Sequence, residues 1–163
     1  MKRNKILDSV QIERKLERMA RQILEDHYSE KEIVLLGIEG PGIEIAKKLE
    51  KILSSIGKLK IRFESIALNK RNPLDSEMKC SSSNNAFNGV SVVIIDDVLN
   101  SGKTMIYAVK HVLDSDPKGV YTAALVDRIH RSFPVRADYC GLSLSTHVDQ
   151  HISVTKDAVY LEQ

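Results

Sequence analysis

Cysteine is scarce in this sequence: Cys80 and Cys140 are the two among 163 residues. They form no metal-binding spacing and no disulfide framework, so free thiols in a reducing cytosol are the plain reading. Long apolar runs are absent too. No stretch approaches the ~20 residues of a membrane span. Lys2, Arg3 and Lys5 have no apolar run behind them, so a secretory leader is not expected there. The expectation is a cytoplasmic protein with no membrane partner. Charge of one sign is also lacking: 24 basic side chains against 22 acidic ones leave +2. Bulk charge therefore points to no polyanion, and any nucleic-acid contact must rest on local clustering. There is no internal repeat, and no Ser–His–Asp or Cys–His spacing offers a protein nucleophile. What is present is ordinary for one domain spanning 1–163 with a proper core: 42% apolar and 28% charged residues.

The stretch Val92 to Thr104 organises the chain. Val92-Val93-Ile94-Ile95 reads as a strand buried on both faces. Asp96 and Asp97 follow at its carboxyl end, then a small polar turn, then a helix over Met105 to Leu113. Ligands of open α/β sheets bind at the carboxyl ends of strands. A turn that opens a helix presents free N–H groups and a positive dipole end, which suits a phosphate. Gly102 permits close backbone approach, and Ser101 and Thr104 add hydroxyls. Two ionised carboxylates accept hydrogen bonds and do not donate them. The paired hydroxyls of a ribose match them, and a Mg²⁺ ion fits nearby. Gly102-Lys103-Thr104 imitates the end of a nucleoside triphosphate P-loop. That motif needs a glycine at position 97, which is Asp.

The remaining elements surround this unit. Residues 9–26 predict an amphipathic helix with Asp8 and Gln11 as a capping box. Arg14, Arg18 and Arg21 share one of its faces, either a solvated rim or a contact surface for RNA or a subunit. Ile33 to Ile38 predicts a second buried strand, Glu39-Gly40-Pro41-Gly42 a turn, and Ile43 to Ile56 a helix. Lys60 to Leu68 alternates as a strand with one wetter face. Residues 69–89 form the one long irregular segment, with Lys70 and Arg71 at its root. A loop of that length reads either as a lid that excludes water or as a mobile surface loop. Val120 to Val126 is another buried strand, followed by Asp127-Arg128-Ile129-His130-Arg131 and later Arg136-Ala137-Asp138-Tyr139. Arg136 and Asp138 read as a pair. Ile152, Val154, Val159 and Tyr160 alternate in the tail as one or two short edge strands.

The run from Val92 to Thr104 resembles the signature of type I phosphoribosyltransferases. The stretch from Val126 through Tyr139, with Ile6-Leu7-Asp8 and the strand–loop–helix units, extends that resemblance over nearly the whole chain. It is nearest to the pyrimidine-operon attenuation regulators that double as uracil phosphoribosyltransferases. The resemblance implies an α/β fold with a mostly parallel central sheet of about five strands, helices on both faces, and a small hood with a flexible flap at 69–89. It implies that Asp96 and Asp97 hold the ribose hydroxyls of phosphoribosyl pyrophosphate (PRPP). Asn100, Ser101, Gly102, Lys103 and Thr104 would hold its 5′-phosphate, and Glu39 to Gly42 would receive its pyrophosphate. Mg²⁺ is the implied cofactor, bound through PRPP near the two acids. Asp127 and Arg128 fall on the base side, and Arg14, Arg18, Arg21, His130 and Arg131 are candidate RNA contacts. A homodimer or higher homo-oligomer is implied as well.

Two departures from the family pattern bear on activity. Its usual pyrophosphate loop, Lys-Thr-Arg-Gly, is Glu39-Gly40-Pro41-Gly42 here, which removes two cations and adds a carboxylate. Lys70 and Arg71 are placed to offset that loss. Ile129 stands where the family has glycine, a costly exchange if the backbone there needs positive φ. Purine-type relatives carry an Asp at the position of Asn100, so a pyrimidine, uracil, is the expected base. The alternatives are a weakly catalytic or non-catalytic nucleotide-sensing RNA regulator and a purine phosphoribosyltransferase. A fold relic without ligand is the blandest reading.

Overall fold

Continuous apolar runs leave no wet face, so their strands take the middle of a sheet covered on both sides. The computed structural model describes residues 2–163, the side chain of Asn84 apart. Its main sheet has six strands: β2 (Glu32–Ile38), β3 (Lys60–Ala67), β4 (Lys79–Cys80), β5 (Ser91–Leu99), β6 (Gly119–Asp127) and β7 (Tyr139–Ser143). Their order is β4-β3-β2-β5-β6-β7. The five long strands run parallel, and the two-residue β4 pairs antiparallel on the β3 edge. The expected five parallel strands are thus present, with one short addition inside the segment expected to be irregular. That segment also carries a 3-10 helix at Asn84–Phe87, whose Phe87 is fully buried.

Alternation along the strands divides the core into two layers. Ile33, Leu35, Val93 and Ile95 pack against α1 (Ser9–His27) and α2 (Pro41–Ile56). Val34, Leu36, Val92 and Ile94 pack against α3 (Lys103–Val112) and Phe87. Helix α1 starts as its sequence predicts. The Asp8 carboxylate accepts from the Gln11 N–H at 2.8 Å, and the Gln11 side chain accepts from the Asp8 N–H at 2.9 Å. Helix α2 starts earlier than its apolar spacing suggests. Pro41 occupies its first turn, where a missing N–H costs nothing, so the turn before it shrinks to Glu39 and Gly40.

The tail corrects the sequence reading. Strands β8 (His151–Val154) and β9 (Val159–Glu162) do not join an edge of the main sheet. They form a separate antiparallel sheet, β1-β9-β8, with β1 (Arg3–Leu7), a strand not expected from the sequence. Leu7, Ile152 and Val159 bury this small sheet against the layer of α1 and α2. Among the described residues no helix is long and apolar enough to cross a membrane.

Candidate active site

Strand β2 pairs with β5 only as far as Gly37 opposite Ile95, whereas β6 accompanies β5 to Leu99. The acids therefore lie inside β5, not beyond its end, but on a length that has lost its β2 neighbour. A cleft of about 490 Å³ opens there. It gathers Asp96, Asp97, the whole of 100–104, Pro41 and Lys70, and also His151 and Ser153 of β8.

Asp96 is 4% exposed. Its Oδ1 accepts from the Asp97 N–H at 2.9 Å and from Lys70 Nζ at 3.5 Å. Burial disfavours its charged form and the Asp97 carboxyl beside it adds repulsion, so its carboxyl is pushed up to about 7. Lys70 works against that rise without cancelling it. Helix α2 presses close at this point: a Cβ on Gly42 would stand 3.2 Å from Asp96 Oδ1.

The polar turn is held from behind. Gly102 has φ 86°, the left-handed conformation that glycine adopts cheaply, and a Cβ there would meet Val135 Cγ1 at 2.5 Å. The N–H groups of Ser132 and Phe133 donate to the Ser101 carbonyl at 2.9 and 3.1 Å. Lys103 turns its ammonium to the Arg71 carbonyl at 3.1 Å, tying the turn to the root of the flap. Lys70, from the same root, stands 3.9 Å from the point where a Gly40 Cβ would project. One ammonium thus adjoins both the Glu39–Gly40 turn and Asp96. Glu39 and Gly40 are exposed and do not line the cleft.

Asp127, Arg128, His130 and Arg131 are occupied within the chain. Asp127 accepts from the Ile129 N–H at 2.9 Å and from Arg131 Nη2 at 2.6 Å. Arg128 bonds Thr146 Oγ1 at 2.8 Å, the His147 carbonyl at 3.1 Å and Asn100 Oδ1 at 3.2 Å. His130 Nε2 donates to the Thr146 carbonyl at 2.7 Å. Ile129, between them, holds φ 58° with its side chain half exposed, so the position does need positive φ. Arg18 caps the carbonyls of Cys140 and Gly141 at 2.9 and 2.8 Å, while Arg14 and Arg21 stay exposed. Arg136 and Asp138 do not pair as read from the sequence. Asp138 accepts from the Thr122 N–H at 2.9 Å instead, because the parallel β6–β7 start places that donor in reach.

His151 and Ser153 were not singled out by the sequence. The tail's alternation carried the signal: with Ile152 turned into the core, its neighbours fall on the other face.

The residues fit a hard divalent cation in part. Two adjacent carboxylates, one of them short of compensating charge, are oxygen donors of the right kind. Among the described residues no group of three or more His, Cys, Asp or Glu could hold a metal. Such an ion would complete its shell with substrate oxygens and water, the usual habit of Mg²⁺ at phosphate sites.

Comparison with known proteins agrees with this geometry. Residues 2–158 match the family described as "Phosphoribosyl transferase domain". The chain is 32% identical over 166 residues to the Bifunctional protein PyrR of Clostridium kluyveri, covering 91% of this chain and 88% of the relative. It is 34% identical over 164 residues to the Bifunctional protein PyrR of Oceanobacillus iheyensis, covering 95% and 91%. Among solved structures, the hypoxanthine phosphoribosyltransferase of Trypanosoma cruzi superposes with a TM-score of 0.81 at 16% identity. That match covers 96% of this chain and 95% of the other, a likeness of fold.

Proposed function

The chain belongs to the phosphoribosyltransferase family, and from that premise we propose that it moves phosphoribose from PRPP to uracil, giving UMP and pyrophosphate. One observation carries the reading: an acid pair and a phosphate-type turn face one cleft from consecutive positions of one strand–turn–helix unit. The spacing suits a ribose 5-phosphate, with its diol on Asp96 and Asp97 and its phosphate on the N–H groups opening α3. The diol donates to the acids, and the 101–104 hydroxyls and amides donate to the phosphate. Held at three points, the anomeric carbon meets the base without rotational freedom, which is worth much of the rate in a transfer with no protein nucleophile.

Mg²⁺, when bound beside the two acids, neutralises the pyrophosphate leaving group. The chain's own contribution on that side is Lys70. Its ammonium lies between Asp96 and the Glu39–Gly40 turn and replaces the cations that turn lacks. Asn100 is no proton acceptor for a purine, which favours a pyrimidine.

The test is pyrophosphate release from PRPP with Mg²⁺, offering uracil, hypoxanthine, guanine and orotate in parallel. Uracil-dependent release is the expected result. Release with a purine alone would keep the transfer and overturn the base. Absence of release with every base would remove the enzyme reading.

A second role, RNA binding, is favoured by the exposed Arg14, Arg21 and Arg136, whose guanidinium groups have no partner among the described residues. A relative named pyrimidine operon regulatory protein, 31% identical over 156 residues, is consistent with a regulatory role beside the transfer. Binding to pyrimidine leader RNA that weakens steeply with salt is expected. Its absence at low salt would exclude it.

A further inference from the structure

Joining a nucleobase to C1 of the ribose costs the base a proton, and the mechanism above leaves that proton without a destination. The cleft holds few groups able to take it. Under the transfer reading, Asp96 and Asp97 are committed to the ribose diol. Lys70 and Lys103 are cations, and the hydroxyls are too weakly basic. Asn100 is committed as well. Arg128 has only donors, so the amide oxygen is the atom it engages at 3.2 Å, and an amide is too weak a base to take a proton near neutral pH. His151 is what is left. It lines the cleft from β8, a strand of the small sheet, and so belongs to a different element from the strand–turn–helix unit that carries the acids and the phosphate turn. Its imidazole is exposed and has no hydrogen bond or ion pair among the described residues.

We propose that His151 accepts the N–H proton of the nucleobase. The inference rests on the transfer reading. As the C1–N bond forms, the C1–O bond to pyrophosphate breaks and its electrons leave with that group. The N–H proton passes to the unprotonated imidazole nitrogen of His151 and from there to water. β8 is suited to present the group. It is the free edge of the small sheet, and the buried Ile152 fixes its facing. The charged groups around it are few. Glu162 stands opposite in register on β9 but is paired with Arg3 and Ser153, and Asp96, Asp97, Lys70 and Lys103 line the same cleft.

The experiment compares the protein with His151→Gln and His151→Ala across about pH 5.5 to 8, where imidazoles titrate. It reads uracil-dependent pyrophosphate release, equilibrium binding of PRPP, and the His151 ring resonances on titration with UMP. The expected result is a roughly 100-fold fall in kcat/KM for the base in His151→Gln, with PRPP binding unchanged. The acid limb of the pH profile should disappear with the side chain, and added imidazole should restore part of the rate to His151→Ala. UMP should shift the His151 resonances. A Gln variant that keeps both the rate and the acid limb overturns the proposal, as does UMP that leaves those resonances unmoved. A protein inert toward every base defeats the transfer reading separately, and the UMP titration still decides whether His151 meets the base.

Discussion

Two strand-to-helix turns follow neighbouring parallel strands: the one after β5 lines the cleft, and the one after β2 reaches it only through Pro41 at the start of α2. Both use a glycine with positive φ, Gly40 at 103° and Gly102 at 86°, to swing the chain from strand into helix. Both therefore aim a helix N-terminus at the ligand space. They differ in everything attached to that backbone. The 101–104 turn carries two hydroxyls and a lysine and is packed from behind by Val135 and the Ser132–Phe133 amides. The 39–40 turn carries a carboxylate, is followed by a proline, and has only Lys70 Nζ, at 3.9 Å, near the point where a side chain would project. Its cation comes from Lys70, beyond the end of β3. The comparison teaches that the backbone half of an anion site follows from the fold. The side-chain half is a local choice, and another strand can supply it.

The largest effect should come from the packed turn. Gly102→Ala forces a Cβ to within 2.5 Å of Val135 and keeps a strained φ, so a loss of about 3 kcal/mol in denaturant unfolding is expected. PRPP binding should be lost with it. Gly40→Ala meets nothing nearer than Lys70 Nζ at 3.9 Å and carries the backbone strain alone, about 1 to 2 kcal/mol. Equal losses at the two glycines would erase the distinction drawn above.

Next is chemistry at the acid pair. Asp97→Asn keeps the shape but removes an acceptor charge facing the diol, and a roughly 100-fold fall in turnover is expected. Turnover within twofold of the parent would remove Asp97 from the site. Lys70→Gln should raise the concentration of PRPP needed for half-maximal rate and leave denaturant stability nearly unchanged, since the ammonium is about half exposed.

A different kind of effect is visible in the ligand-free protein as pH changes. The Asp96 carboxyl rises from 3.8 to about 7 on folding, so between those values the native state holds a proton that the unfolded chain has released. Its contribution to stability is complete below about pH 4 and is lost as pH climbs to about 7. Asp96→Asn should flatten that part of the stability profile, as urea titrations at several pH values would show. The smallest effect belongs to the third turn, which lacks its glycine. Ile129→Gly should raise stability by about 0.5 kcal/mol, the relief of a β-branched residue at φ 58° less the entropy of a freer unfolded chain.

Much of this arrangement is legible in the residues. Strands β2, β5 and β6 announce themselves as apolar runs because both faces are covered. Asp8 and Gln11 place the start of α1, and the acids with the polar turn place the cleft. The tail's alternation shows β8 and β9 as strands, but their union with β1 in a separate sheet is not legible, for a physical reason. Strand β1 reads Arg-Asn-Lys-Ile-Leu and buries only Leu7, so it has neither alternation nor an apolar run. Its partner lies at the other end of the chain, and no local pattern encodes that pairing. His151 escaped notice for the same cause, since its place in the cleft depends on where that sheet docks. Arg128 reads as a base-side residue and Arg18 as part of a solvated rim or contact surface, yet the His147 carbonyl takes up the first and carbonyls of β7 the second.

The pairing of Arg3 with Glu162 has a consequence for the order of assembly. Within the main sheet the most distant pairing, β2 with β5, reaches from Ile33 to Ser91, whereas β1 and β9 close a loop that encloses nearly all of the chain. Closing so long a loop is entropically the most expensive step, and non-local pairing is slow. The main sheet and its helices can therefore be complete while one wall of the cleft is still missing. The acids and the phosphate turn mature first, and the wall bearing His151 arrives last. Opening in the native state should run in reverse, with amide exchange fastest along β8 and β9 while β5 stays protected.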